Sequence, residues 1–289
     1  MSASAHLSAR RAEALGSRLP PLLVAARRVA ATVAQGVHGR RRVGQGDSFW
    51  QYRPFVDGDS PGRIDWRASG KTDRHYVRET EWEAAQTVYL WRDASPSMDW
   101  RSGTAVPRKQ ERAELLLLAL AALLLRGGER VRLLGGPGRL RGGRGALVGG
   151  AEALLQVADS GGLPPEAPLP RHARVVLIGD FLSPLPMVRD AVGALSAIPV
   201  QGHLVQVLDP AEALLPYSGR VRFQGTEAER DELVPRVEGV RDGYAAALQA
   251  QLDGLSALCA VAGWGFGTHR TDHPPEAALL TLFSAMSRA

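Results

Sequence analysis

The spacing of apolar residues divides the chain into three stretches. In the first, residues 5–37, Leu15, Leu19, Leu22, Leu23, Ala26 and Val29 recur at helical steps along one face, and Pro20 with Pro21 forces the helix to restart. From Gly36 to Asp73 the period is lost, and Gly, Asp, Arg and aromatic residues dominate. This stretch is predicted to be irregular and held by polar contacts; a linker would lack Phe49, Trp50, Tyr52, Phe55 and Trp66.

From Thr87 onward the pattern is regular. Strands are predicted at Thr87 to Arg92, Arg130 to Leu134, Val175 to Ile178, His203 to Leu208 and Gly263 to Thr268. Helices are predicted at Arg108 to Arg126, Ala151 to Ala158, Met187 to Ile198, Asp242 to Val261 and Glu276 to Met286. The glycines between Gly135 and Gly150 predict a tight hairpin with an edge strand at Ala146 to Val148. The helix at Arg108 to Arg126 is apolar nearly all round after Glu114, so both of its sides should be covered. Alternating strands and helices predict an α/β fold: a doubly wound, mostly parallel sheet over residues 87–289, with residues 1–86 a helical and irregular extension packed on it.

In such sheets the ligand site lies beyond the carboxyl ends of the strands. Two loops end strands there: Asp93-Ala94-Ser95-Pro96-Ser97 and Gly179-Asp180-Phe181. Asp93, Ser95 and Ser97 alternate, which places three oxygen groups on one side of an extended loop, and Asp180 could reach the same point. Carboxylates and hydroxyls are hard ligands that suit Mg²⁺, with Mn²⁺ or Ca²⁺ as substitutes. The competing structural role for Ser95 and Ser97 is to cap the following segment.

The run Asp93 to Met98 resembles the metal-ion-dependent adhesion site of von Willebrand factor A domains. Upstream, Phe49-Trp50-Gln51-Tyr52-Arg53, Gly58-Asp59, Ile64-Asp65-Trp66-Arg67 and Tyr76 to Glu81 resemble the signature of the bacterial domain-of-unknown-function 58 family, with similarity from about residue 30 to the C-terminus. The resemblance implies a von Willebrand factor A-like fold for residues 87–289 and a non-enzymatic protein-binding module. It also implies a partnership with a MoxR-type AAA+ ATPase and an unknown client protein, in protein assembly or maturation. Adhesion sites also use a threonine from an intervening loop. No threonine stands between Thr104 and Thr226, and Ser160 is the nearest substitute, so metal binding is expected to be weak or absent.

Composition narrows the classes. At 289 residues and 45% apolar, the chain can bury a large core. Its net charge of +5 rests almost wholly on arginine, Lys71 and Lys109 being the only lysines. The arginines run the length of the chain without an aromatic-interleaved stripe, so nucleic acid is not an expected partner. Cys259, the sole cysteine, lies in an apolar stretch and is expected to be buried and inert. The longest apolar run, Leu115 to Leu125, is too short for a bilayer, and the N-terminus lacks the apolar core of an export signal, so a cytoplasmic protein is expected. Asp57, Asp59 and Asp65 are expected to pair with Arg53, Arg63 and Arg67, and Trp50, Trp66 and Trp82 to anchor the upstream segment. No Gly-x-Ser-x-Gly elbow or phosphate-binding Gly-Lys-Ser/Thr loop occurs, and His203, His269 and His273 sit in no nucleophile motif. The enzymatic alternative is a hydrolase whose catalytic metal is held by Asp93 and Asp180; it lacks a nameable general base.

Overall fold

A computed structural model of the chain describes residues 21–34, 49–56, 64–70, 75–80, 86–136, 139–140, 146–155, 161–227 and 230–286. These fall into two compact units, residues 40–85 and the remainder. In the smaller unit, β1 (Phe49–Pro54) pairs antiparallel with β2 (Tyr76–Thr80), and a single helical turn, α2 (Trp66–Ser69), precedes β2. The stretch read as irregular therefore supplies one strand, β1, of a two-stranded ribbon. Its strands lack a clean two-residue alternation, which hid them from a pattern search.

The larger unit opens with helix α1 (residues 21–34), which buries Ala26, Val29, Ala30 and Val33 at steps of three and four. Then follow β3 (Thr87–Arg92), α3 (Lys109–Arg126), β4 (Arg130–Leu133), β5 (Arg139–Leu140), α4 (Ala146–Leu155), β6 (Arg174–Gly179), α5 (Leu185–Ser196) and β7 (Gln201–Leu208). The chain continues through α6 (Pro210–Leu214), β8 (Val221–Phe223), β9 (Glu232–Val234), α7 (Arg241–Val261), β10 (Gly265–Arg270) and α8 (Pro275–Met286). The main sheet has the order β5-β4-β3-β6-β7-β10; five strands are parallel, and the edge strand β5 runs antiparallel to β4.

Alternate side chains of the central strands feed two cores. Val88 and Leu90 of β3 and Val176 and Ile178 of β6 join the core under α1, α3, α4 and α8. Tyr89, Trp91, Val175 and Leu177 face the other way, onto α5 and α7. This is the doubly wound arrangement expected from the strand-helix alternation. Helix α3 touches strands β3, β4, β6 and β7 on one side and α4 and α8 on the other, which accounts for its lack of a polar face. Each of its buried leucines, such as Leu116, Leu117 and Leu120, contributes about 1.5–3 kcal/mol by leaving water.

Two sequence-based expectations need correction. Ala146 to Val148 is not an edge strand but the first turn of α4; Gly149 faces open space, so the glycines do not stop the helix, and Ala151 and Leu154 bury its inner face. The edge strand is β5 instead. Trp66 is not a core anchor: it is 64% exposed and meets His75 edge-on at 5.6 Å. Trp50 and Trp82 give no test, because Trp82 and the side chain of Trp50 lie outside what is described.

Close packing fixes Gly202 most tightly among the described glycines. A Cβ on Gly202 of β7 would stand 1.9 Å from the ring of Trp264, which lies over that strand. Cys259 is fully buried beneath the same region, and burial pushes its thiol up to about 11, so it is inert at neutral pH. Among the described residues, no helix is long and apolar enough to cross a membrane.

Candidate functional site

The sheet places the site. From β3 the chain goes to β4 on one side and then returns to β6 on the other, so the strand order reverses at β3. A crevice opens beyond the carboxyl ends of β3 and β6. Asp93 follows β3 directly and Asp180 follows β6 directly, both buried. The two loops can approach because position 179 is glycine: a Cβ there would lie 2.9 Å from that of Asp93.

The hydrogen bonds can be counted atom by atom. Asp93 Oδ1 accepts from the Ser95 backbone N–H at 2.8 Å. Ser97 Oγ donates to Asp180 Oδ2 at 2.7 Å. Having given up its one proton, Ser97 must accept in its 3.0 Å contact with Ser95 Oγ. Asp180 is held further by Leu182 N–H on Oδ1 at 3.3 Å and by the Gln206 amide on its carbonyl at 2.7 Å. The remaining oxygen, Asp93 Oδ2, is buried with no hydrogen-bond partner. Its neighbours are Ser95 and Gly162, which both line the adjoining cavity.

All four residues singled out by sequence therefore meet at one place. Four participants were missed. Lys109, at the start of α3, is fully buried; its ammonium donates to Asp180 Oδ2 at 2.8 Å and to Glu212 Oε1 at 2.5 Å. Glu212 belongs to the capping box of α6, where its other oxygen accepts from the Asp209 N–H at 2.8 Å. Glu227, beyond β8, accepts from the Ser97 N–H at 3.2 Å. Gly162 stands beside Asp93 and Ser95, in the loop that was expected to supply a hydroxyl; Ser160 itself lies outside the described residues. A signal for Lys109 was present: a chain that uses arginine almost everywhere keeps a lysine where a compact point charge, not a planar fork, fits.

Electrostatics sharpen the arrangement. Burial, followed by the negative charge of Asp180, raises the Asp93 pKa to about 6; the hydrogen bond from the Ser95 backbone opposes this, and Glu227 adds a little to it. Burial by itself would lower the Lys109 pKa, but Asp180 and Glu212 reverse the sign and raise it. Burial also raises Glu212 against the pull of Lys109. Asp93, Asp180 and Glu212 against Lys109 leave two negative charges without a counter-charge. Asp209, also buried, is met by the backbone N–H groups of Ser102 and Ala211.

The backbone is strained here too. Phe181 sits at φ 47° directly after Asp180, and Leu215 at φ 43° ends α6. A left-handed non-glycine residue costs about 1–2 kcal/mol. The buried Phe181 ring, 6.0 Å from Trp91, and the Gln251 amide on its carbonyl at 2.7 Å hold it there. Beside the loops is a cavity of about 780 Å³, with Ser97 and Asp180 on one side and Met187, Leu215, Phe223 and Tyr244 on the other.

The other candidates lie apart. His203 and His269 are buried, line a different cavity and have lowered pKa values, His269 down to about 4 by burial first and then by Arg112 and His273, so both are neutral at pH 7. Asp65 Oδ1 accepts from the Arg67 N–H at 3.1 Å, a local turn bond. Asp57, Asp59 and Arg63 lie outside the described residues. Among the described residues, no three of His, Cys, Asp and Glu form a ready metal cage; the donor set here is two carboxylates and two hydroxyls.

A profile of the family described as "Protein of unknown function DUF58" matches residues 51–141 and 165–253. The chain belongs to this family. Uncharacterized proteins of Mycobacterium tuberculosis and Mycobacterium bovis are 27% identical over 256 residues, which cover 80% of this chain and 79% of theirs. A crystal structure of conserved hypothetical protein BatB from Bacteroides thetaiotaomicron aligns with a TM-score of 0.38 at 16% identity, over 71% of this chain and 100% of that one. An aerotolerance-related membrane protein from Bacteroides fragilis aligns with a TM-score of 0.38 at 15% identity, with the same coverage.

Proposed function

We propose that this DUF58 protein is a non-enzymatic, von Willebrand factor A-like binding module of the cytoplasm. In this reading Asp93, Ser95, Ser97 and Asp180 hold a divalent cation, Mg²⁺ or Mn²⁺, that serves as the docking point for an acidic side chain. The observation that carries the reading is Asp93 Oδ2, an anionic oxygen buried without a donor. An orphaned charge of this kind costs several kcal/mol unless something neutralises it. A dication would cancel the two uncompensated negative charges. Ser97 keeps a lone pair after its two hydrogen bonds, and Ser95 keeps two after giving its proton to Ser97. The cation would supply positive charge with room for an outside ligand; the chain's own residues orient the donors and exclude water. Lys109 takes part of Asp180, which supports loose rather than tight binding.

The partner in this proposal is a MoxR-type AAA+ ATPase, or a client protein that it remodels, docking through an aspartate or glutamate. The apolar wall of the cavity suits the flanking residues of such a segment. Calorimetry with Mg²⁺ and Mn²⁺ should show heats that vanish in Asp93→Ala, and a pull-down of the ATPase should lose the complex with EDTA and with that variant. Equal heats for both proteins would remove the cation reading. The hydrolase alternative needs a general base beside the metal. Metal-dependent phosphatase or peptidase turnover that is lost in Asp93→Ala would replace the binding reading.

A further inference from the structure

We propose that β10 is a self-association edge, at which two copies of this chain join their sheets by antiparallel pairing of β10 with β10 about Thr268. The inference is independent of the cation reading above. It starts from the direction in which the β10 backbone points. β10 pairs with β7 in unbroken register, from Gly265 with His203 to Arg270 with Leu208, and among the described residues no strand lies on its other side. Just past the strand, the Thr271 N–H donates to the Leu208 carbonyl at 2.9 Å. Bonding residues alternate along a parallel pair. Gly265, Gly267 and His269 therefore turn their N–H and C=O groups to β7, and Phe266, Thr268 and Arg270 turn theirs outward.

Proteins usually blunt such an edge with proline, lysine, a bulge or brevity. β10 has six residues, with no proline, no lysine and no bulge, and Thr268 at its centre is exposed. Both faces beside the edge are open as well. A cavity of about 380 Å³ separates Thr268 from Leu248 and Leu252 of α7, and one of about 320 Å³ lies beside Gly267, walled by Ala277 and Thr281 of α8. An added strand sends alternate side chains into two such grooves. The sequence of β10 fits a second copy of itself. In a two-fold antiparallel pairing centred on Thr268, the two threonines exchange N–H to carbonyl bonds, and Phe266 faces Arg270 of the second copy. Paired threonines and an arginine over an aromatic ring are favourable cross-strand neighbours. Arg270 is the only Lys, Arg, Asp or Glu of the strand, and this register keeps it away from its own copy. His269 of the second copy comes beside Gly267, where a Cβ would meet nothing within 4 Å. The Arg270 carbonyl already accepts from the His273 N–H at 3.0 Å, so the pairing tapers off there.

Sedimentation of the full chain over a range of concentrations should show a reversible monomer–dimer equilibrium. Thr268→Pro removes an outward N–H and spares the bonds to β7, so it should weaken the dimer about tenfold or more. Thr268→Lys, which sets two ammonium groups across the axis, should weaken it too, and thermal melts establish that each variant folds. Thr268→Cys reads the register. Across a hydrogen-bonded antiparallel pair the Cα atoms stand about 5.5 Å apart, within disulfide reach. Because Cys259 is buried, oxidised Thr268→Cys should form a single interchain disulfide, and much faster than Ser256→Cys, which is exposed on α7. A dimer that survives both Thr268→Pro and Thr268→Lys, or equal cross-linking of the two cysteine variants, would overturn the proposal. A wild type that stays monomeric at the highest concentration it tolerates would overturn it as well, and would leave the edge to a strand of another protein.

Discussion

Asp93 and Asp180 are alike in sequence setting: each closes a buried parallel strand, and each is nearly fully enclosed. Their surroundings differ. Asp180 receives a lysine ammonium, a serine hydroxyl and a backbone N–H, whereas Asp93 receives one backbone N–H and leaves an oxygen bare. The first carboxylate is built into the fold, and the second is left in deficit. The difference teaches that burial does not mark a binding residue; what marks it is burial with the counter-charge missing.

The sharpest way to break the contrast is to take away the lysine. Lys109→Met would leave the buried Asp180 and the half-buried Glu212 without their counter-charge, and loss of one partner from a buried pair costs about 3–5 kcal/mol. Urea unfolding should show a large fall in midpoint at unchanged slope; a fall under about 1 kcal/mol would mean that Asp180 is not stabilised by the lysine.

Asp93 should behave in the opposite way. In the folded chain it keeps its proton up to about pH 6, against 3.8 for the ordinary group. Below pH 4 the carboxyl is protonated in both folded and unfolded chains and carries no penalty. As the pH rises from about 4 to just above 6 the folded state loses stability relative to the unfolded, by up to about 3 kcal/mol for a shift of this size. Asp93→Asn in EDTA should therefore be more stable than wild type at pH 7.5, with the advantage fading as the pH falls from 6 to 4. Mg²⁺ should narrow the gap by stabilising the wild type alone. A variant no more stable than wild type at pH 7.5 would place the charge deficit elsewhere.

The smallest effect calibrates the other two. One residue before Lys109, Arg108 pairs with Asp99 at 2.7 Å, a distance like that of the buried pair, but with side chains 39% and 61% exposed. Asp99→Ala should change stability by less than about 1 kcal/mol, and salt should erase most of that.

How far the sequence revealed this arrangement depended on the range over which each feature is determined. The sheet and its helices were legible because their apolar periods are local. Asp93, Ser95, Ser97 and Asp180 were legible because strand ends are predictable from those periods. Lys109 and Glu212 were not, since their meeting depends on three separate strand-to-helix connections converging, and each looked like an ordinary helix-start residue. The ribbons β1–β2 and β8–β9 were missed because strands of mixed polarity carry little alternation. The helical state of Ala146 is hidden by the glycines around it, which usually break helices; here Gly149 sits on an open helix face with nothing to clash.

The contact between Gly202 and Trp264 has a consequence for how such chains can change over generations. Any side chain at position 202 would intrude on the indole ring, with its first carbon 1.9 Å away. Replacement of Trp264 by a smaller residue opens a void, which is costly but tolerable; enlargement of Gly202 first forces atoms into occupied space. The two positions are therefore bound to drift in a fixed order, with 264 shrinking before 202 grows. Family members with a side chain at 202 should have lost the tryptophan.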